Sequence, residues 1–364
     1  MSLLHKLLDK AAKIEAHEVR ATLASFGLVF TLMAAYYILR PVRDAMASDW
    51  SDAEVSWLWT FTFFFSAIAV SLYGVAVSKV RFQRLVPSLY GFFALSFVAF
   101  YLGSQLLTER TLLDKSFYVW ISVFSLFHVS VFWSFMSDLF SKAQAPRLFG
   151  FIAAGASTGG LVGPAIPTFF TSSLGTDNLM LIASVLLACT IPIIIWLQNL
   201  KSSDLHNEAV HVGEEEFQYI GGNPLAGFTE FVKNPYLIGI GVFILLYTAI
   251  SSFVYFELKN LLADYSREER SQIWAGMDLA VNSLTLGIAL FVTGRMATRY
   301  GLSVTLASVP ILIMGGMLTV AAAPSVAIVV GLQIIRRAGN YGITRPAREM
   351  LFTAVDRETR FKAK

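Results

Sequence analysis

The chain has 364 residues, 55% hydrophobic and only 15% charged, with a mean hydropathy of +0.61. Soluble proteins carry about 25% charged residues, so the polar surface is too small to face water and lipid must be the solvent for much of the chain. A net charge of +3 spread along the sequence gives no basis for nucleic-acid binding, and the lone cysteine, Cys189, sits in an apolar run, which excludes a disulfide framework or a thiolate metal site. The five histidines show no zinc spacing, so neither a metal nor another cofactor is expected.

The first twenty residues, "MSLLHKLLDKAAKIEAHEVR", place leucines at helical spacing with charges on the opposite face. They read as an amphipathic helix on the inner membrane surface, not as a signal or transit peptide. Ten apolar stretches long enough to span come next, at roughly 21–46, 54–78, 85–106, 116–140, 148–171, 177–198, 235–257, 272–294, 302–322 and 324–346. The polar segment 199–234 separates six spans from four. The expected organisation is therefore a surface helix (1–20), an N-terminal six-helix bundle (21–198), a cytoplasmic linker (199–234) and an incomplete four-helix C-terminal bundle (235–364). With the N-terminus inside, 19 Lys and Arg fall on the inner side and 7 on the outer, which fixes the N-terminus as cytoplasmic. With no Asn-x-Ser/Thr triplet, a bacterial inner membrane is the expected location.

Span one ends in "YYILRPVRD", residues 36–44. Tyr36, Tyr37, Arg40, Arg43 and Asp44 fall within an arc of about 120° on a helix, and Pro41 removes a backbone donor and is expected to kink it. Arg40 and Arg43 defy the inner bias of positive charge, which favours a functional role over snorkelling at the interface. After span two come Gly74, three residues, then Ser78-Lys79; after span eight, 220 residues on, come Gly294, three residues, then Thr298-Arg299. This repeat marks two halves. In span five, Gly155, Gly159 and Gly163 form a small-residue stripe on which another helix can pack closely.

Span seven carries Glu257 and Lys259, and span eight carries Asp278, a candidate coupling group or a counter-ion for an arginine. In span ten, Arg336 and Arg337 lie about a dozen residues inside the apolar run, where a cation costs roughly 2.5–3.5 kcal/mol. Arg337, Asn340, Tyr341, Thr344 and Arg348 share a face. Residues 341–349, "YGITRPARE", echo 36–44, with Arg345 and Arg348 in the places of Arg40 and Arg43 and Glu349 in that of Asp44. The two copies are expected to act as paired charge stations of one pathway, with Tyr36, Tyr37, Arg40, Arg43, Glu257, Lys259, Arg336, Arg337, Asn340, Tyr341, Arg345 and Arg348 binding substrate. Asp44, Asp278, Glu349, Lys79 and Arg299 are expected to couple or gate. The surplus of buried cations favours an anion, and arginine forks suit phosphate or carboxylate.

Six spans, a long inner loop and more spans, with the glycine-cation turn repeated in each half, resemble the major facilitator superfamily, whose signature in this loop is Gly-x-x-x-Asp-Arg/Lys-x-Gly. Here Ser78 and Thr298 replace the aspartate and only the second half keeps the later glycine, Gly301. The glycines of span five partly match that superfamily's antiporter motif. The resemblance implies an all-α, two-bundle membrane fold with ten of twelve expected helices present, the other two belonging to a longer protein. "YYILRPVRD", "FVYFELKNLL" (253–262), "VFWSFMSDLFSKAQAPRLFGFIAAGASTGGLVGP" (131–164) and "RRAGNYGITRPAREMLFTAVDRETRFKAK" (336–364) resemble the bacterial and plastid ATP/ADP translocases. That resemblance implies exchange of ATP for ADP, or of related phosphorylated nucleotides, with Arg40, Arg43, Glu257 and Lys259 on charged family positions. Arg40-Pro41-Val42-Arg43 departs from that family's Arg-Asp-Thr-Lys. A proton-coupled small-molecule exporter using Asp278 is the alternative. A lipid-modifying enzyme is disfavoured because His128, in "LFHVSVF", has no acid nearby in sequence.

Overall fold

The structure, a computed structural model, describes residues 14–205 except 142, and residues 234–351. All regular elements in it are helical: α1 Val19–Met46, α2 Asp52–Lys79, α3 Phe82–Leu106, α4 Thr111–Leu139, α5 Ala145–Leu174, α6 Thr176–Ser203, α7 Pro235–Leu261, α8 Arg267–Phe291, α9 Thr293–Ala322, α10 Val326–Gly339 and α11 Arg345–Leu351. Ala47–Asp49 adds a short 3-10 turn after α1, and a π turn, Asn340–Thr344, joins α10 to α11. These match the ten expected spans in order. Eight of the helices are long and apolar enough to cross a membrane. The three exceptions are α8, which opens on Arg267, Glu268, Glu269 and Arg270, and α10 and α11, of 14 and 7 residues, which the π turn joins end to end. The amphipathic reading of the N-terminus falls mostly on residues outside the described range; the helix proper begins at Val19.

Two compact units divide the chain, Met1–Val210 with Asp264–Leu279, and His211–Ala263 with Ala280–Lys364. The first unit packs around α1, whose inward side, including Leu28, Leu32, Ile38, Leu39 and Val42, is fully buried. The glycine stripe of α5 explains the fit. A Cβ at Gly155 would stand 2.5 Å from the Phe26 carbonyl oxygen, one at Gly163 2.8 Å from that of Ala34, and one at Gly159 would collide with the Phe30 carbonyl. Only hydrogen in those places lets two helix backbones approach so closely. Against this, α3 and α4 fill their interface with rings: Phe93 and Phe97 meet Phe124 edge-on or tilted at 4.9 and 5.5 Å between centroids. On the other side of the unit α2 presents Phe61, Phe63, Phe64, Phe65 and Ile68 outward, with Phe63 70% exposed. Such a surface suits contact with acyl chains.

Two glycines take left-handed backbone. Gly175, at φ +78°, makes a one-residue turn between α5 and α6. Gly301, at φ +78°, breaks α9 where the repeated turn carries its later glycine, a conformation that costs any residue with a Cβ. By contrast α1 runs on through Pro41. At the start of the first unit Glu18 is almost wholly buried and accepts a bidentate pair from Arg147, at 2.8 and 3.2 Å, plus the Glu15 backbone N–H at 3.0 Å. Burial acts to raise this carboxyl, but the Glu15 N–H and the Arg147 guanidinium outweigh it and hold the group below its ordinary value of 4.5.

Two outcomes are expected. Gly159→Val should destabilise the fold by about 1–3 kcal/mol or more, read as a lower thermal midpoint in detergent, whereas Gly150→Ala, whose added methyl meets nothing within 4 Å, should be neutral or slightly stabilising. Glu18→Gln should cost about 1–3 kcal/mol at neutral pH. Because the carboxyl is depressed in the folded state, its contribution is complete above pH 4.5 and fades as pH falls through the lowered value. The gap between variant and wild type, followed by thermal unfolding, should therefore close in acid and not in alkali.

Candidate functional site

Polar side chains of α1 meet α4 and the first half of α8 inside the first unit. Arg43 donates to Asp44 through Nη2 at 2.6 Å and Nε at 3.0 Å, donates to Ser122 Oγ at 3.2 Å, and lies 5.3 Å from the centre of the Tyr118 ring. One turn back, Arg40 lies 3.7 Å from Asp44 and 3.5 Å from Asp278. Both carboxylates are nearly sealed, Asp44 at 2% and Asp278 at 2% exposure. Two guanidinium groups thus face two carboxylates, and this quartet is formally neutral. The sequence-derived surplus of positive charge does not reside here. The reason is local: Asp44 is reached by Arg43 beside it and by Arg40 at i−4, and Asp278 is brought in by tertiary packing.

Sequence reasoning missed the partner face on α4. Asp114, Tyr118, Ser122, Ser125 and His128 recur every three or four residues, a stripe that the surrounding phenylalanines disguise. Tyr118 Oη accepts from Trp59 Nε1 at 2.8 Å, and the His128 ring stacks on Tyr36 with centroids 4.4 Å apart. Tyr37 meets Tyr36 edge-on at 5.3 Å. Beyond α1's end a second cluster forms: Arg270 and Arg267 both donate to Asp49, and Arg267 also pairs with Asp114 at 2.9 Å. In sequence these arginines read as loop charges, yet Arg270 is only 7% exposed.

In the second unit Arg336 is buried on α10. It donates to Gln333 Oε1, to Ser251 Oγ and to Tyr247 Oη at 3.2 Å, and its guanidinium lies 5.7 Å from the centre of the Tyr247 ring. The Tyr247 hydroxyl in turn donates to the Arg336 carbonyl at 3.2 Å. Tyr247 and Ser251 are one turn apart on α7, and Gln333 is one turn before Arg336, so two helices supply the whole shell. Among the described residues no carboxylate pairs with Arg336.

The other expected residues scatter. Arg337 is 6% and Lys259 1% exposed, the latter with its ammonium 5.9 Å from the Phe256 ring centre. Glu257 lines a cavity of about 180 Å³ with Val254, Met317 and Leu332, and Arg348 lines one of about 380 Å³ with Tyr236, Phe243 and Leu306. Asn340 is half-buried, Tyr341 39% exposed, Thr344 buried and Arg345 exposed. The single face drawn through 337, 340, 341, 344 and 348 assumed a regular helix; the π turn over Asn340–Thr344 winds the chain more loosely and rotates the later residues out of that register. Lys79 and Arg299 are exposed, Arg299 standing 5.5 Å from the Tyr300 ring centre. The Glu349 side chain lies outside the described residues.

No curated protein matches the sequence. Among solved structures the chain is similar to a bacterial homolog of the human lysosomal transporter Spinster in an inward-facing, unoccupied conformation, with a TM-score of 0.58 and 16% identity over 96% of this chain and 78% of that one. It is also similar to a point mutant of the nucleoside transporter NupG, with a TM-score of 0.63 and 15% identity over 95% of this chain and 85% of that one. At such identities these likenesses establish the fold alone. The sequence itself matches the Major Facilitator Superfamily over residues 25–353. Apolar helices in this order, charged groups inside them and that match across nearly the whole length lead to one conclusion: the chain is an integral membrane protein that belongs to the major facilitator superfamily of transporters.

Proposed function

We propose that the chain is a secondary transporter that exchanges phosphorylated anions, nucleotides of the ATP/ADP kind, by alternating access across a bacterial inner membrane, with its N-terminus in the cytoplasm. The observation that carries this reading is Arg336, a guanidinium inside a membrane helix whose partners Gln333, Tyr247 and Ser251 are all neutral. Neutral acceptors satisfy its N–H groups without cancelling its charge, so an anion gains from approaching it. All three partners can turn from accepting to donating, which lets the same shell close around phosphate oxygens. Arg337, next in sequence and buried, adds to the positive potential. The motif resemblance to ATP/ADP translocases supplies the nucleotide, and the surplus of inner Lys and Arg supplies the orientation.

A second reading, a proton-coupled exporter of small molecules, is favoured by Asp278. Its carboxylate is buried 3.5 Å from Arg40, and neutralising it would leave that guanidinium with Asp44 as its carboxylate partner.

Proteoliposomes separate the two. With ADP inside, labelled ATP should enter by counter-exchange without a pH gradient, and Arg336→Gln should reduce its entry at least about tenfold, the worth of a charge-assisted hydrogen bond. Asp278→Asn should leave exchange measurable. Uptake unchanged by Arg336→Gln removes the anion reading; flux that needs a pH gradient and vanishes with Asp278→Asn establishes the second.

A further inference from the structure

The face shared by α1 and α4 holds two hydrogen-bonding atoms that the ion-pair quartet leaves unused. His128 is 6% exposed, and its Nδ1 lies 2.9 Å from the Ser125 carbonyl oxygen. A carbonyl only accepts, so Nδ1 carries the proton and Nε2 is left as a lone-pair acceptor. Among the described residues nothing donates to Nε2, and the hydroxyl of Tyr36, stacked on the same ring, has no hydrogen-bond partner either. Tyr36 is half-buried and His128 keeps 6% exposure, so neither side chain is wholly sealed. The rest of the stripe is occupied: Ser122 donates to the Tyr118 carbonyl, Ser125 to the Ser122 carbonyl, and Tyr118 Oη accepts from Trp59.

We infer that Tyr36 and His128 form a recognition point for a neutral, planar group carrying both a donor and an acceptor, the edge of a nitrogen heterocycle, on the transported solute. Nε2 accepts from a ring N–H or an exocyclic amine, and the Tyr36 hydroxyl, free to rotate, donates to the neighbouring ring nitrogen or carbonyl. Tyr37 meets Tyr36 edge-on at 5.3 Å on the helix, and Phe124, fully buried, backs the His128 ring at 5.4 Å and holds it in place. Tyr36 stands four residues before Arg40, about 6 Å along the helix axis, so a solute whose ring sits here keeps its charged end near Arg40, where it competes with Asp44 and Asp278. This deepens the anion-exchange reading and rests on it for the charged end alone.

Three probes divide the solute into its parts: adenosine 5′-diphosphate, ribose 5-phosphate and adenosine, each titrated against the purified full chain in detergent. Tyr36→Phe removes one oxygen and keeps the ring; His128→Phe keeps the stack and removes the acceptor; His128→Gln places an amide oxygen near the position of Nε2. The first two should each weaken adenosine 5′-diphosphate and adenosine about tenfold and leave ribose 5-phosphate within about twofold, as loss of a single neutral hydrogen bond predicts, and His128→Gln should recover most of the loss. Thermal unfolding of each variant shows whether the bundle is intact. Equal weakening of all three probes, no weakening of any, or a wild type that binds none of them overturns the proposal. Should adenosine bind the wild type as tightly as adenosine 5′-diphosphate while the variants still weaken it, the anion reading fails and the ring site stands.

Discussion

Every ionised group carried into a membrane helix must find compensation there, and the described structure arranges itself around that demand. In the first unit it is met by carboxylates. Asp44 holds Arg43 and supports Arg40, and Asp278 closes the set from α8. Removing one partner of such a buried pair leaves the other uncompensated, which typically costs about 3–5 kcal/mol. The quartet therefore ties the end of α1 to the first half of α8, and the Arg267–Asp49–Arg270 cluster repeats the tie just beyond it. These polar contacts fix the register between helices that would otherwise slide on apolar faces with little preference.

The polar face of α1 is held in place by a close helix contact that runs into it, since Tyr37 itself packs on Gly163. Along α5 the glycines at 155, 159 and 163 bring backbone against backbone from Phe26 to Ala34. Tyr36 and Arg40 continue the same helix, so that contact and their own interactions together set their positions. A rigid helix carrying a polar strip is a precise support for binding groups, and the aromatic packing of α3 on α4 holds the facing stripe of Tyr118, Ser122 and His128 in the same way.

Much of this was legible in the sequence, for a physical reason. Lipid demands long apolar runs and small residues at close helix contacts, and both are local patterns, so the ten helices in order and the glycine stripe could be read directly. Partner choice is not local. Asp278 could be named as an arginine's counter-ion but not assigned to Arg40. Tyr247, Ser251 and Gln333 look like ordinary residues of apolar helices until Arg336 is seen among them. His128 has no acid beside it in the chain and so carries no chemical signal there, although its ring meets Tyr36 across 92 positions of sequence. The π turn at Asn340–Thr344 defeats the face drawn on span ten because periodicity presumes a constant 3.6 residues per turn.

The two units answer the cost of a buried arginine in chemically different ways, and the difference bears on what each can bind. Where carboxylates supply the compensation, as at Arg40 and Arg43, an incoming anion must displace an internal one or arrive as that carboxylate is protonated. Affinity there is the difference between two ion pairs and is small by construction. Where hydroxyls and an amide supply it, as at Arg336, the anion replaces weak neutral acceptors and keeps the full attraction of the charge. Weak binding suits release, and strong binding suits capture. The proposed exchange needs both kinds of binding, since a solute held tightly everywhere would never leave the carrier.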